Sequence, residues 1–277
     1  MSLSSVARLT AAAGVVALSA SASQAVVFGW NYTKGQAGLG TQYERNDTGG
    51  TVESINSTFD SSTKRLTFDV LFSGANNTAS PLVTNGFWLV VDNGPNPKTH
   101  SGELAIIYFD ASRVFAGTAS APTVTVYEYN GVNANTSWRD GNGDGTTDGG
   151  DLIKGANETG FINNVSAGTQ TIAAQTYRRL TFDINATDII THTPLFPVAG
   201  TDWYGTGFDD HLGIWFHPAQ IFNASYAAGG RGAVTALSTS LEGWLDGQNF
   251  TTTRVPGPAS AALLGLGGLM VARRRRN

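Results

Sequence analysis

From Val26 to Arg254 the hydropathy of this chain alternates with a period of two, and that constrains the fold more than any other feature. TVESINSTFD alternates, DSSTK turns, and RLTFDVLF alternates back, which predicts a β-hairpin with a short loop. GFWLVVDNG is almost continuously apolar and predicts a central strand buried on both faces. ELAIIYFD, TVTVYEYNG, TGFINNVS, YRRLTFDIN, LGIWFHP, IFNASY and AVTAL carry the β-branched and aromatic content of further strands. Pro218 reads as the end of one of them. About ten short strands with turn-rich joints predict an all-β fold, an antiparallel β-sandwich. One echo runs through it: Arg65-Leu66-Thr67-Phe68-Asp69-Val70 returns as Arg179-Leu180-Thr181-Phe182-Asp183-Ile184. Neighbouring segments do not match, so two strands in similar environments are favoured over a duplication.

There are no cysteines, so a buried core must supply stability. Only 14% of residues are charged. Arg8 and Arg273 to Arg276 are five of the 17 basic residues, while all 21 acidic residues lie in the central segment. That segment is therefore acidic, which argues against nucleic acid as a partner.

The two ends differ from the middle. Residues 1–25 combine Arg8, the apolar stretch TAAAGVVALSA and a small-residue exit, SASQA. These are the three parts of a secretory signal peptide, with cleavage expected after Ala25. Residues 255–277 begin VPGP, continue through an uncharged run from Ala259 to Ala272, and end in Arg273, Arg274, Arg275 and Arg276. The run lacks a polar stripe and carries three glycines, so it suits a short membrane helix better than a soluble one. The arginines would stay on the cytoplasmic side.

Val255, Pro256, Gly257, Pro258, Ala259 and Ser260, then LLGLGGLMVA, then RRRR, resemble the PEP-CTERM sorting signal. Gly257 stands where that family usually has Glu. The resemblance implies an exported bacterial protein, handled by signal peptidase and an exosortase-type enzyme. It also implies transient inner-membrane anchoring and a destination at the cell surface, envelope or exopolysaccharide matrix. NGFWLVVDNGPNPK, YEYNG, LGIWFHP and GWLDG are similar to the extracellular β domains that precede such tails. That similarity implies a concanavalin- or lectin-like jelly roll over residues 26–254, between a signal helix and a C-terminal hydrophobic helix.

The sharpest local motif is DGNGDGTTDGGDL. Asp140, Asn142, Asp144, Thr146, Asp148 and Asp151 fall at positions 1, 3, 5, 7, 9 and 12 of a calcium loop, with Gly145 at the sharp turn. Oxygens at these positions converge on one ion when the chain curls around it. The flanks carry no pair of amphipathic helices, so calcium is expected to pin a loop of the sandwich and not to build an EF-hand. Trp138, Trp203, Tyr204 and Trp244 lie in Gly/Asp-rich contexts, where flat rings could stack on sugars or plug the core. Asp209, Asp210, His211, His217 and Glu242 supply acids and bases, but no spacing forces a catalytic set. The expected role is a non-enzymatic surface or matrix component. A carbohydrate-binding module and a polysaccharide hydrolase or lyase are the alternatives.

Overall fold

The computed structural model describes residues 27–33, 51–73, 84–92, 105–132, 135–196, 213–228, 232–243, 245–246 and 253–255. The signal segment, the expected terminal helices, Pro256 to Pro258, the four tail arginines, Trp203, Tyr204, Trp244 and Asp209 to His211 lie outside the described residues. Among the described residues, no helix is long and apolar enough to cross a membrane.

The strands are β1 (Val27–Thr33), β2 (Thr51–Asp60), β3 (Arg65–Ser73), β4 (Gly86–Asp92), β5 (Ala105–Asp110), β6 (Thr123–Tyr127), β7 (Leu152–Lys154), β8 (Ile162–Ile172), β9 (Gln175–Asn185), β10 (Gly213–Tyr226), β11 (Val234–Glu242), β12 (Leu245–Asp246) and β13 (Thr253–Val255). Two single-turn helices, α1 (Ser112–Phe115) and α2 (Thr187–Ile190), join them. Sheet A has the order β13-β1-β2-β3-β9-β8. Sheet B has the order β11-β10-β4-β5-β6-β7, with β12 also on β10. All the strand pairings are antiparallel. The predicted β2–β3 hairpin forms, with Asp60 paired to Arg65.

Alternation buries one face of sheet A. Ile55, Phe59, Leu66, Phe68, Val70, Phe72, Leu180, Phe182 and Ile184 meet Phe87, Leu89, Ile107, Phe109, Val124, Val126 and Phe216 of sheet B in one core. Contacts between the sheets are aromatic: Phe68 lies 5.5 Å from both Phe87 and Phe216, centroid to centroid. Sheet B is buried on its other face too, which accounts for the unbroken apolar run of β4. Trp88, Val90, Ile106, Tyr108 and Tyr127 form a second core with Phe222, Ala224 and Val234. The distal half of β10 and β11 cover that face. Phe222 donates its N–H to Asn85 Oδ1 (2.7 Å), and Val234 donates its N–H to the Tyr127 hydroxyl oxygen (2.7 Å). Gly86 permits the close approach, because a Cβ there would stand 2.5 Å from Phe222 Cβ.

LGIWFHP and IFNASY are one strand, and the reading of Pro218 as a strand end is corrected. Pro218 pairs with Phe87 inside β10. Its carbonyl accepts the Gly243 N–H (2.9 Å), so its missing N–H faces the same side. There β11 has ended at Glu242 and β12 starts at Leu245, so no ladder bond is lost.

The echoed hexapeptides are neighbours. β3 and β9 pair with Phe68 opposite Phe182, Thr67 opposite Asp183 and Asp69 opposite Thr181. A local two-fold axis therefore passes between the two phenylalanines. The flanking strands obey it: Asn56 and Thr58 of β2 oppose Asp69 and Thr67, while Asn164 and Ser166 of β8 oppose Asp183 and Thr181. The β8–β9 turn consists of Ala173 and Ala174, both at positive φ (48° and 66°). Alanine is strained there, and a two-residue turn of this hand favours Asn-Gly. The double substitution Ala173→Asn, Ala174→Gly is expected to raise stability by about 1 kcal/mol in chemical denaturation. No gain would mean that the turn relaxes out of this geometry.

Candidate functional site

Two regions among the described residues gather polar side chains from several segments of the chain. The first is the outer face of sheet A, where the two-fold pattern makes a depression of ≈ 420 Å³. Asn56, Thr58, Thr67 and Asp69 line one half, and Asn164, Ser166, Thr181 and Asp183 the other. Strand alternation places them outward because their neighbours Ile55, Phe68, Leu180 and Phe182 point inward. Hydroxyls pair equivalently: Thr58 Oγ1 lies 2.6 Å from Thr67 Oγ1, and Ser166 Oγ lies 2.7 Å from Thr181 Oγ1. The ion pairs are equivalent as well. Arg179 Nε donates to Asp69 Oδ1 (2.9 Å), and Arg65 Nε donates to Asp183 Oδ1 (2.7 Å). Asn163 Nδ2 also donates to Asp183 Oδ1 (3.1 Å). A carboxylate clasped by a guanidinium offers no proton to a leaving oxygen, so the face is built for hydrogen bonding.

The second region lies where β6 and β7 leave sheet B. Glu128 follows β6, and its N–H donates to Asp151 O (2.9 Å) just before β7. His192 follows α2 and reaches Asp151 Oδ2 through Nε2 (2.7 Å). Leu195 adds its N–H to the same oxygen (2.8 Å). Ligand-type atoms of Glu128, Asp151 and His192 lie within 4.8 Å of one another. Glu128 is 5% exposed and Asp151 3%. Burial, then the hydrogen bond and negative charge of Asp151, push the Glu128 carboxyl up to about 8. Burial would raise Asp151 too, but hydrogen bonds from His192, Leu195 and Glu128 outweigh it and hold that carboxyl below its ordinary value. Asp151 thus contacts both the raised Glu128 carboxyl and the His192 ring. Lys154, paired with Glu158 (3.1 Å) and with Asp188 of α2, ties the same elements together.

The sequence-predicted residues are distributed as follows. Asp140, Asn142, Asp144, Thr146 and Asp148 share one loop, pinched by a bridge between Asp140 and Gly149. Four of them accept backbone N–H groups: Asp140 from Gly143 (2.8 Å) and Gly145 (3.1 Å), Asn142 from Asp144 (3.0 Å), Asp144 from Thr146 (2.8 Å), and Asp148 from Gly141 (3.0 Å), while the Thr146 hydroxyl donates to Asp144 Oδ1 (2.6 Å). Asp151, the expected closing ligand, has its Oδ2 2.7 Å from His192 Nε2. Trp138 is half-buried against the second core and donates Nε1–H to Asn135 O (3.0 Å). His217 stacks on Trp88 at 3.5 Å between centroids, with Nδ1 3.9 Å from Glu242 Oε2. Burial would raise the Glu242 carboxyl, yet the His217 ring and Thr239 hold it below its ordinary value. His217 and Glu242 thus meet, walled in by indole and strand. Glu128 and His192 were not singled out from the sequence. A glutamate between two tyrosines in VYEYN, against the alternation, was the available signal. No protein-family model, no curated protein and no solved structure matches the chain.

Proposed function

We propose that this is an exported, non-enzymatic protein of a bacterial cell surface or extracellular matrix, and that the outer face of sheet A holds exopolysaccharide by hydrogen bonds. The two-fold Asn/Thr/Asp/Arg depression carries this reading. It offers paired hydroxyls, amides and carboxylates at repeated spacing, the groups that recognise a hydroxyl-rich polymer. Among the described residues its lining holds no exposed aromatic ring, so the contact is polar and not stacked. Both carboxylates of the depression are engaged by arginine, which supports binding over hydrolysis at this face.

The concanavalin- or lectin-like form of the sandwich belongs to this proposal and draws on the sheets of six and seven antiparallel strands. So does the sorting route, through a signal peptide, an exosortase-type enzyme and a transient membrane anchor. Mass spectrometry of the mature protein is expected to find a new N-terminus near Val26 and no arginine tail. An intact tail on protein recovered from culture fluid would contradict the sorting route. A glycan array with the purified protein is expected to give polysaccharide binding, while a reducing-sugar assay stays at background. Cleavage in that assay would replace the matrix role with hydrolysis.

A further inference from the structure

We propose that Glu128, Asp151 and His192 form a binding site for one zinc ion at the β6–β7 edge of sheet B, separate from the Asp140–Asp148 loop. Three observations carry it. Each residue places one ligand-type atom within 4.8 Å of the other two. Donors bound to one ion at ~2.1 Å lie roughly 3 to 4 Å apart, so small side-chain shifts complete the set. Glu128 is 5% exposed, yet its Oε2 is buried and has no hydrogen-bond partner. A buried carboxyl oxygen left unpartnered is costly, and a cation that displaces the Glu128 proton is a ligand that satisfies it. The Asp151–His192 contact of 2.7 Å orients Nε2 toward the set.

The donor types choose the ion. One imidazole nitrogen with two carboxylates suits zinc, whereas calcium takes six to eight oxygens. The backbone supports the site from three elements: Glu128 and Asp151 are joined by their own main-chain hydrogen bond, and Leu195 N–H steadies Asp151. The His192 side chain is 16% exposed, which gives an ion a way in from solvent.

Calorimetric titration of the full chain with Zn²⁺, after dialysis against chelator, tests the assignment. One zinc per chain is expected, weakened at least ~10-fold by Glu128→Gln and by His192→Ala, with calcium failing to compete. Wild-type affinity in both variants, or displacement of zinc by an equal concentration of calcium, would overturn it. If a variant does not fold, the wild type decides alone. In the spectrum of ¹⁵N-labelled imidazoles, zinc must move the Nε2 resonance of His192 and leave that of His217 in place. An unmoved His192 resonance overturns the site.

Discussion

Phe68→Ala is expected to destabilise the protein by about 3–5 kcal/mol, the range for deleting a fully buried phenylalanine. Phe68 is 1% exposed and pairs with Phe182 across the local two-fold axis. It stacks on Phe182 at 5.4 Å and 13°, and it touches Phe87 and Phe216 across the interface at 5.5 Å. Truncation removes apolar burial and opens a cavity between the sheets, and the three rings around it cannot collapse without dragging both sheets. Thermal melting should fall by roughly 6–20 °C for a domain of this size. The outward neighbour Thr67 shares its strand and hydrogen bonds but not the core, so Thr67→Val should change stability by less than about 1 kcal/mol. Similar losses at the two positions would mean that the sheets are not packed through Phe68.

The second large effect is a pH dependence. Glu128 keeps its proton in the folded chain up to about 8, while its ordinary value is 4.5. Between those values the folded state binds more protons than the unfolded one, so stability falls as pH rises. Over that window the loss is on the order of 3–5 kcal/mol, at 1.36 kcal/mol per unit of difference. Glu128→Gln keeps a hydrogen-bond donor for Asp151 but cannot ionise. In metal-free buffer the variant and the wild type should unfold with similar stability near pH 4.5. The variant should become the more stable by several kcal/mol near pH 9. Asp151, held below its ordinary value, acts in the opposite direction and only as pH falls through the acid range. Parallel stability curves for the two proteins above pH 5 would show that Glu128 is not held protonated.

What the sequence makes legible follows from how local each signal is. The β2–β3 hairpin is written in two alternating runs and a turn, and β4 in five consecutive buried residues from Phe87 to Val91. These are short-range patterns. The echo of RLTFDV was visible, but its meaning was not, because pairing Phe68 with Phe182 is a property of the sheet. Pro218 misleads for the same reason: whether a missing N–H matters depends on what lies beside the strand, and there the neighbouring strand is interrupted. Spacing alone put Asp151 in the calcium pattern, since a loop count assumes that the chain curls around one point. The structure spends that carboxylate on His192, 41 residues away. Glu128, Asp151 and His192 come from three separate segments, and no local motif can announce such a set.

Binding of exopolysaccharide to the sheet A face is most directly tested by titrating a glycan identified on the array into wild type and into the double variant Asn56→Ala, Asn164→Ala. Both asparagines are exposed and occupy equivalent positions in the two halves of the depression. Their removal should leave melting unchanged and weaken the glycan by roughly tenfold or more, at about 1 kcal/mol per lost hydrogen bond. Equal affinity for the two proteins would place the glycan elsewhere and contradict the role assigned to this face.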